Sequence, residues 1–182
     1  LGGIGKGYAL DRCRQHFASQ QIENYLLHAG HSSILAHGNR KNSTTKNRGW
    51  QIALRHPLIP QRQLANIWLQ NHAIGTSGDA NQFFYHQGKR YGHVIDPRSG
   101  WPVQQTLSAT VISHSAAAAD ALATAFFVIG PKNATQYCQH HPGTSFIIAT
   151  PSEHNRVIEL HIFGIEKEDL EVTANNVELI EH

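Results

Sequence analysis

The segment "SAAAADALATAFFVIG" (115–130) carries the strongest helical pattern in the chain. Leu122, Ala125, Phe126 and Ile129 recur at three- and four-residue steps, which predicts one apolar face. Ser115 is placed to cap the start and Gly130 to end it, with Pro131 opening a further helix around 132–140. Leu10, Cys13 and Phe17 show the same spacing and predict a helix over about 6–20. Most other segments alternate with period two. "IENYLLHA" (22–29) reads as a short strand, and "SSILAHG" with "GWQIALRHP" as a strand pair around a polar loop. "QRQLANIWLQNHAIGTSG" alternates up to a Thr-Ser-Gly turn, and "QFFYHQGKRYGHVIDP" is a hairpin turned by "HQGK". "TLSATVISHS" is a strand with Leu107, Ala109 and Val111 on one face, and "TSFIIAT" and "RVIELHIFG" follow as two more. These strands connect mainly by hairpins, without the strand–helix–strand alternation of a doubly wound sheet. The pattern predicts an α+β fold with mixed or antiparallel sheets and packed helices.

Composition narrows this picture. The 182 residues are 40% hydrophobic and 15% charged, which suits one folded domain with a substantial core. The net charge of +2 is scattered. Its densest basic stretch, "GNRKNSTTKNRG" (38–49), lacks aromatics and reads as a solvated loop, so no nucleic-acid partner is expected. The longest apolar run, "ALATAFFVI", is too short for a membrane span. Cys13 and Cys138 have no CxxC spacing and read as small buried apolar residues. The 14 histidines include no HExxH, and His28 with His31, or His140 with His141, read as surface residues before metal ligands. Methionine is absent, so Leu1 is read as a processed or trimmed end with more of the parent chain upstream. The acidic stretch from about 165 to 182 reads as a polar tail.

Three segments carry candidate chemistry. The opening "LGGIGKGYALD" has no Ser or Thr after its lysine and so fails the Walker pattern; it offers GxGxG where a Rossmann loop needs GxGxxG. Two readings stay open for it: an anion held at a helix start, or a tight packing turn. In "ADALATA" (119–125), Asp120 and Thr124 are four apart and share a helix face. That spacing fits two hard oxygen ligands for Mg²⁺ or Ca²⁺, and equally an ordinary helix with an acidic residue near its N-terminus. "GHVIDPRSGWP" (92–102) is a turn after a strand, with His93 beside it.

Together, "LGGIGKGYALD", "GWQIALRHP", "GTSGD", "KRYGHVIDPRSG" and "ADALATAFFVIG" occur in an order and spacing that resembles the ApbE family of FAD:protein FMN transferases, from residue 1 to about 150. The resemblance implies a T-fold-like α+β domain over 1–182, corresponding to the family's C-terminal two-thirds and lacking its N-terminal third. It implies FAD and Mg²⁺ as cofactors and transfer of FMN to a Thr hydroxyl of a target flavoprotein, with release of AMP. Carried over residue by residue, Asp120, Thr124 and the Gly3 carbonyl become metal ligands. Lys6 and Val94 contact FAD, His93 is the base for the acceptor hydroxyl, and Thr76, Ser77 and Gly78 form the site wall. The same resemblance accommodates an FAD pyrophosphatase or a non-catalytic FAD-binding homologue, and an exported lipoprotein location, although no export signal lies in this chain. Where the family usually has Gly-Gly-Asp/Asn, this chain has "AGHSS" (29–33), so polar contacts there are expected to differ. Ser99 stands where Thr is more usual.

Overall fold

A computed structural model describes residues 2–41, 49–79, 83–153 and 157–182. The chain runs through α1 (Gly5–Ser19), β1 (Tyr25–Ala29), β2 (Ser33–His37), β3 (Trp50–Arg55), β4 (Gln63–Leu69) and β5 (Ala73–Gly78). Then come β6 (Phe83–His86), β7 (Lys89–Gly92), β8 (Ile95–Asp96), β9 (Trp101–Pro102) and β10 (Ser108–Ser113). The last part holds α2 (Ala116–His140), β11 (Thr144–Pro151), β12 (Ile158–Phe163), β13 (Leu170–Val172) and β14 (Val177–Glu181). A seven-stranded sheet in the order β1-β2-β5-β10-β11-β12-β14 forms the frame. It is antiparallel except where β14 runs parallel to β12, which makes the sheet mixed and the fold α+β.

Side-chain alternation explains the layering. Along β10 and β11, Ala109, Val111, Phe146 and Ile148 pack with Phe126 and Phe127 of α2. The intervening Ile112, Ile147 and Ala149 join Ile52, Leu54, Leu64 and Ile67 of a second, three-stranded sheet, β13-β4-β3. The central strands are therefore buried on both faces, with helices on one side and the smaller sheet on the other. Among the described residues, no helix is long and apolar enough to cross a membrane.

At Gly7 the two helices meet backbone to backbone. A Cβ on Gly7 would lie 2.1 Å from the Ala116 carbonyl oxygen, and one on Gly75 of β5 would lie 2.2 Å from that of Ala119. Only glycine permits these approaches. Across the gap, Asp11 of α1 accepts hydrogen bonds from the Ser115 hydroxyl at 2.8 Å and from the Ala116 and Ala117 N–H groups at 3.0 Å. Ser115 in turn caps its own helix by accepting from Ala118 N at 3.2 Å. Burial opposes ionisation of Asp11, but the donors from Ala117, Ala116 and Ser115, helped by Arg14, outweigh it and hold the carboxyl below its ordinary range. Asp11→Ala is expected to cost about 2 kcal/mol in urea unfolding. Because the folded value is depressed, this contribution is complete above about pH 4 and disappears as pH falls through it. A wild-type minus variant difference that stays constant from pH 6 to below pH 3 would contradict this account.

Several expectations need correction. Thr76, Ser77 and Gly78 form no turn but continue β5, with Ser77 opposite Ala109 of β10. β2 and β3 do not pair with each other; β2 lies between β1 and β5, and β3 pairs with β4. On α2, Ala125 is exposed, and the buried stripe runs through Ala116, Ala119, Ala123, Phe126 and Phe127. Gly130, at φ 75°, breaks this helix before the segment begun by Pro131. Cys138 is buried and its thiol is pushed up to about 11 by that burial, whereas Cys13 is exposed. The acidic stretch supplies β13 and β14, and its Leu170, Val172 and Val177 pack on the core. The centre of the basic loop, 42–48, lies outside the described residues.

Candidate active site

Asp120 sits one turn inside α2 and is only 5% exposed. One carboxylate oxygen accepts from Gly7 N at 3.0 Å and the other from the Ser33 hydroxyl at 2.9 Å. Among the described residues it makes no ion pair. A buried carboxylate held by two neutral donors lacks a counter-charge, and each of its oxygens keeps a free lone pair. One turn on, the Thr124 hydroxyl lies 2.8 Å from that of Ser77. A Cβ on Gly3 would come within 3.4 Å of Thr124 Oγ1, so the glycine loop lies directly against this pair. The side-chain donors here, the Asp120 carboxylate and the Thr124 and Ser77 hydroxyls, are all oxygen, the chemistry that a hard divalent cation prefers. Among the described residues, no group of three or more His, Cys, Asp or Glu gathers as an alternative metal centre.

These groups open onto a cleft of about 1120 Å³. All nine sequence-nominated residues line it: Gly3, Lys6, Thr76, Ser77, Gly78, His93, Val94, Asp120 and Thr124. Its polar end lies at the glycine loop and α2, and an apolar arm reaches Ile52, Leu54 and Leu64 between the two sheets. Lys6 projects from the first turn of α1 and donates to the Ser32 hydroxyl. The Thr76 hydroxyl pairs with that of Thr110 at 3.0 Å. His93 is exposed and immediately follows β7.

The turn beyond His93 is stiff. Val94 O accepts from Val103 N at 2.9 Å, and Asp96 O accepts from Gly100 N at 2.8 Å. Arg98 clasps the Asp96 carboxylate, donating from Nε at 2.9 Å and from Nη2 at 2.7 Å, and these bonds pull Asp96 down to about 2. His56, which also lines the cleft, is buried and its Nδ1 accepts from Leu58 N and Ile59 N, each at 3.2 Å. Burial, reinforced by Arg62 and only partly offset by Asn176, lowers its pKa and favours the neutral ring.

Sequence reasoning assigned no role to Asp11, His56, Ser32 or Ser33. The last two fall in "AGHSS", where altered contacts were expected; Ser32 meets Lys6 and Ser33 meets Asp120.

The sequence profile of the ApbE family matches residues 1–148, and the chain belongs to that family. A Vibrio cholerae protein called FAD:protein FMN transferase is 37% identical over 132 residues, which cover 71% of this chain and 38% of that protein. Its Haemophilus influenzae counterpart is 32% identical over 151 residues, covering 81% and 42%. The crystal structure of the ApbE protein from Thermotoga maritima superposes with a TM-score of 0.70 at 33% identity, covering 82% of this chain and 48% of that one. The flavin transferase ApbE from Vibrio cholerae gives 0.72 at 29% identity, covering 88% and 48%. The chain thus spans less than half the length of each of these relatives.

Proposed function

We propose that this chain acts as a Mg²⁺-dependent flavin transferase, moving FMN from FAD onto a threonine hydroxyl of a target flavoprotein. The observation that carries the reading is Asp120, a buried carboxylate with no ion pair among the described residues, one turn from Thr124 and against the glycine loop. Asp120, Thr124 and the Gly3 carbonyl would hold Mg²⁺, which when bound neutralises pyrophosphate charge and stabilises the departing phosphate. Lys6 adds a charge-assisted donor for FAD phosphate oxygens. Val94 and the Thr76–Gly78 strand wall the nucleotide, and the stiff turn after Val94 keeps His93 at the rim where an acceptor arrives. His93 takes the acceptor hydroxyl proton as that oxygen bonds to the FMN phosphorus. The bond from this phosphorus to the AMP phosphate oxygen breaks, and AMP leaves with the electron pair.

The test mixes the purified chain with FAD, MgCl₂ and an acceptor flavoprotein lacking its flavin. Covalently bound fluorescent flavin and equimolar AMP are expected, both lost on adding EDTA. Release of FMN and AMP without acceptor labelling would replace the transferase by a pyrophosphatase. FAD binding with no product would leave a binding protein, and the absence of both would overturn the proposal.

A further inference from the structure

Two serines from neighbouring strands touch the two oxygen-bearing residues of α2. Ser33, at the start of β2 and fully buried, donates to Asp120. Ser77 of β5 pairs with Thr124. We infer that Ser33 and Ser77 are positioning residues that aim the carboxylate of Asp120 and the hydroxyl of Thr124 at a divalent cation, an inference that rests on the metal reading above.

The Ser33 hydroxyl occupies one lone pair on Asp120 Oδ1 and Gly7 N–H occupies one on Oδ2. Donors on both oxygens fix the rotation of the carboxylate, so its remaining lone pairs are oriented before any cation arrives. Thr124 poses the complementary problem. A hydroxyl that gives a lone pair to a cation must direct its proton elsewhere, or the proton competes for the same position. Ser77 Oγ, at 2.8 Å, is placed to accept it. The two serines thus act in opposite senses, one donating to a ligand and one accepting from a ligand. Both act through the ligand and need not touch the cation.

Ser33 lies in "AGHSS" (29–33). Ser32 beside it engages Lys6, so consecutive hydroxyls serve the buried carboxylate and the exposed lysine. Gly75 lets α2 approach β5 closely, which brings Thr124 within reach of Ser77.

The experiment compares matched pairs, Ser33→Thr with Ser33→Val and Ser77→Thr with Ser77→Val, in the whole chain. Within each pair the side chains have nearly the same shape and differ in the hydroxyl. Mn²⁺ serves as the probe, and loss of its free-ion electron paramagnetic resonance signal reports affinity without turnover. Thermal midpoints of the metal-free proteins report packing separately. Each valine variant is expected to weaken Mn²⁺ binding by about 10- to 100-fold, with its threonine partner close to wild type. Equal affinities within a pair, whether both unchanged or both weakened, would overturn the role of that serine. Lower midpoints for the valine variants with unchanged Mn²⁺ affinity would show a structural role alone and overturn the inference. If the wild-type chain binds no Mn²⁺, the metal reading itself fails and takes this inference with it.

Discussion

Asp120→Asn is expected to leave the chain folded and to remove its affinity for divalent cations. In a flavin-transfer assay the rate should fall by about a thousandfold, equivalent to about 4 kcal/mol of lost transition-state stabilisation. Asparagine nearly matches aspartate in shape. Its amide oxygen can still accept from Gly7 N–H, and the Ser33 hydroxyl can rotate to accept from the amide nitrogen. The local hydrogen bonds therefore have a satisfactory arrangement without the charge. What disappears is the anion, and with it the reason for a cation to settle between Thr124 and the glycine loop. The metal-free thermal midpoint should stay the same or rise, because a buried carboxylate without a counter-charge opposes folding. Mn²⁺ titration and thermal melts of the two proteins check both parts. An Asp120→Asn protein that binds Mn²⁺ as tightly as wild type would remove Asp120 from the metal site, and with it the observation on which the proposed function rests.

The legibility of this site follows from the range of its contacts. Asp120 and Thr124 are one turn apart on a strongly patterned helix, so their shared face was readable. The Ser33–Asp120 bond joins residues 87 apart in sequence, and only the sheet brings them together. Thr76-Ser77-Gly78 has turn-forming composition, yet pairing with β10 holds it extended. The acidic C-terminal stretch misled in the opposite way. Its charges dominate the composition, but Leu170, Val172 and Val177 are spaced to pack half of each short strand on the core while the glutamates face water. The exposure of Cys13 has the same cause, because helical spacing identifies a stripe but does not say how far around the helix burial extends. The α+β class was nevertheless legible, because it depends on the order of elements and not on which strands pair.

Gly7→Ala sets local propensity against tertiary geometry. Alanine is the better helix former by about 1 kcal/mol, so the sequence of α1 taken alone predicts stabilisation. The packing predicts the reverse. A Cβ there would stand 2.1 Å from the Ala116 carbonyl oxygen, 2.5 Å from its carbon and 2.8 Å from Ala117 Cα, all backbone atoms with no rotamer to yield. The helices must separate, which loosens the Gly7–Asp120 bond and the three hydrogen bonds Asp11 makes to the start of α2. A net loss of about 3 kcal/mol is expected, lowering the melting temperature by roughly 6–12 °C. Gly5→Ala in the same helix is the control, since a Cβ there meets nothing within 4 Å and stability should hold or rise. Equal effects of the two substitutions would mean that α1 and α2 are not held in contact at Gly7. Loss of stability at Gly7 alone would place the glycine loop's role in the closeness of two backbones, the same closeness that lets a main-chain N–H of α1 reach a carboxylate on α2.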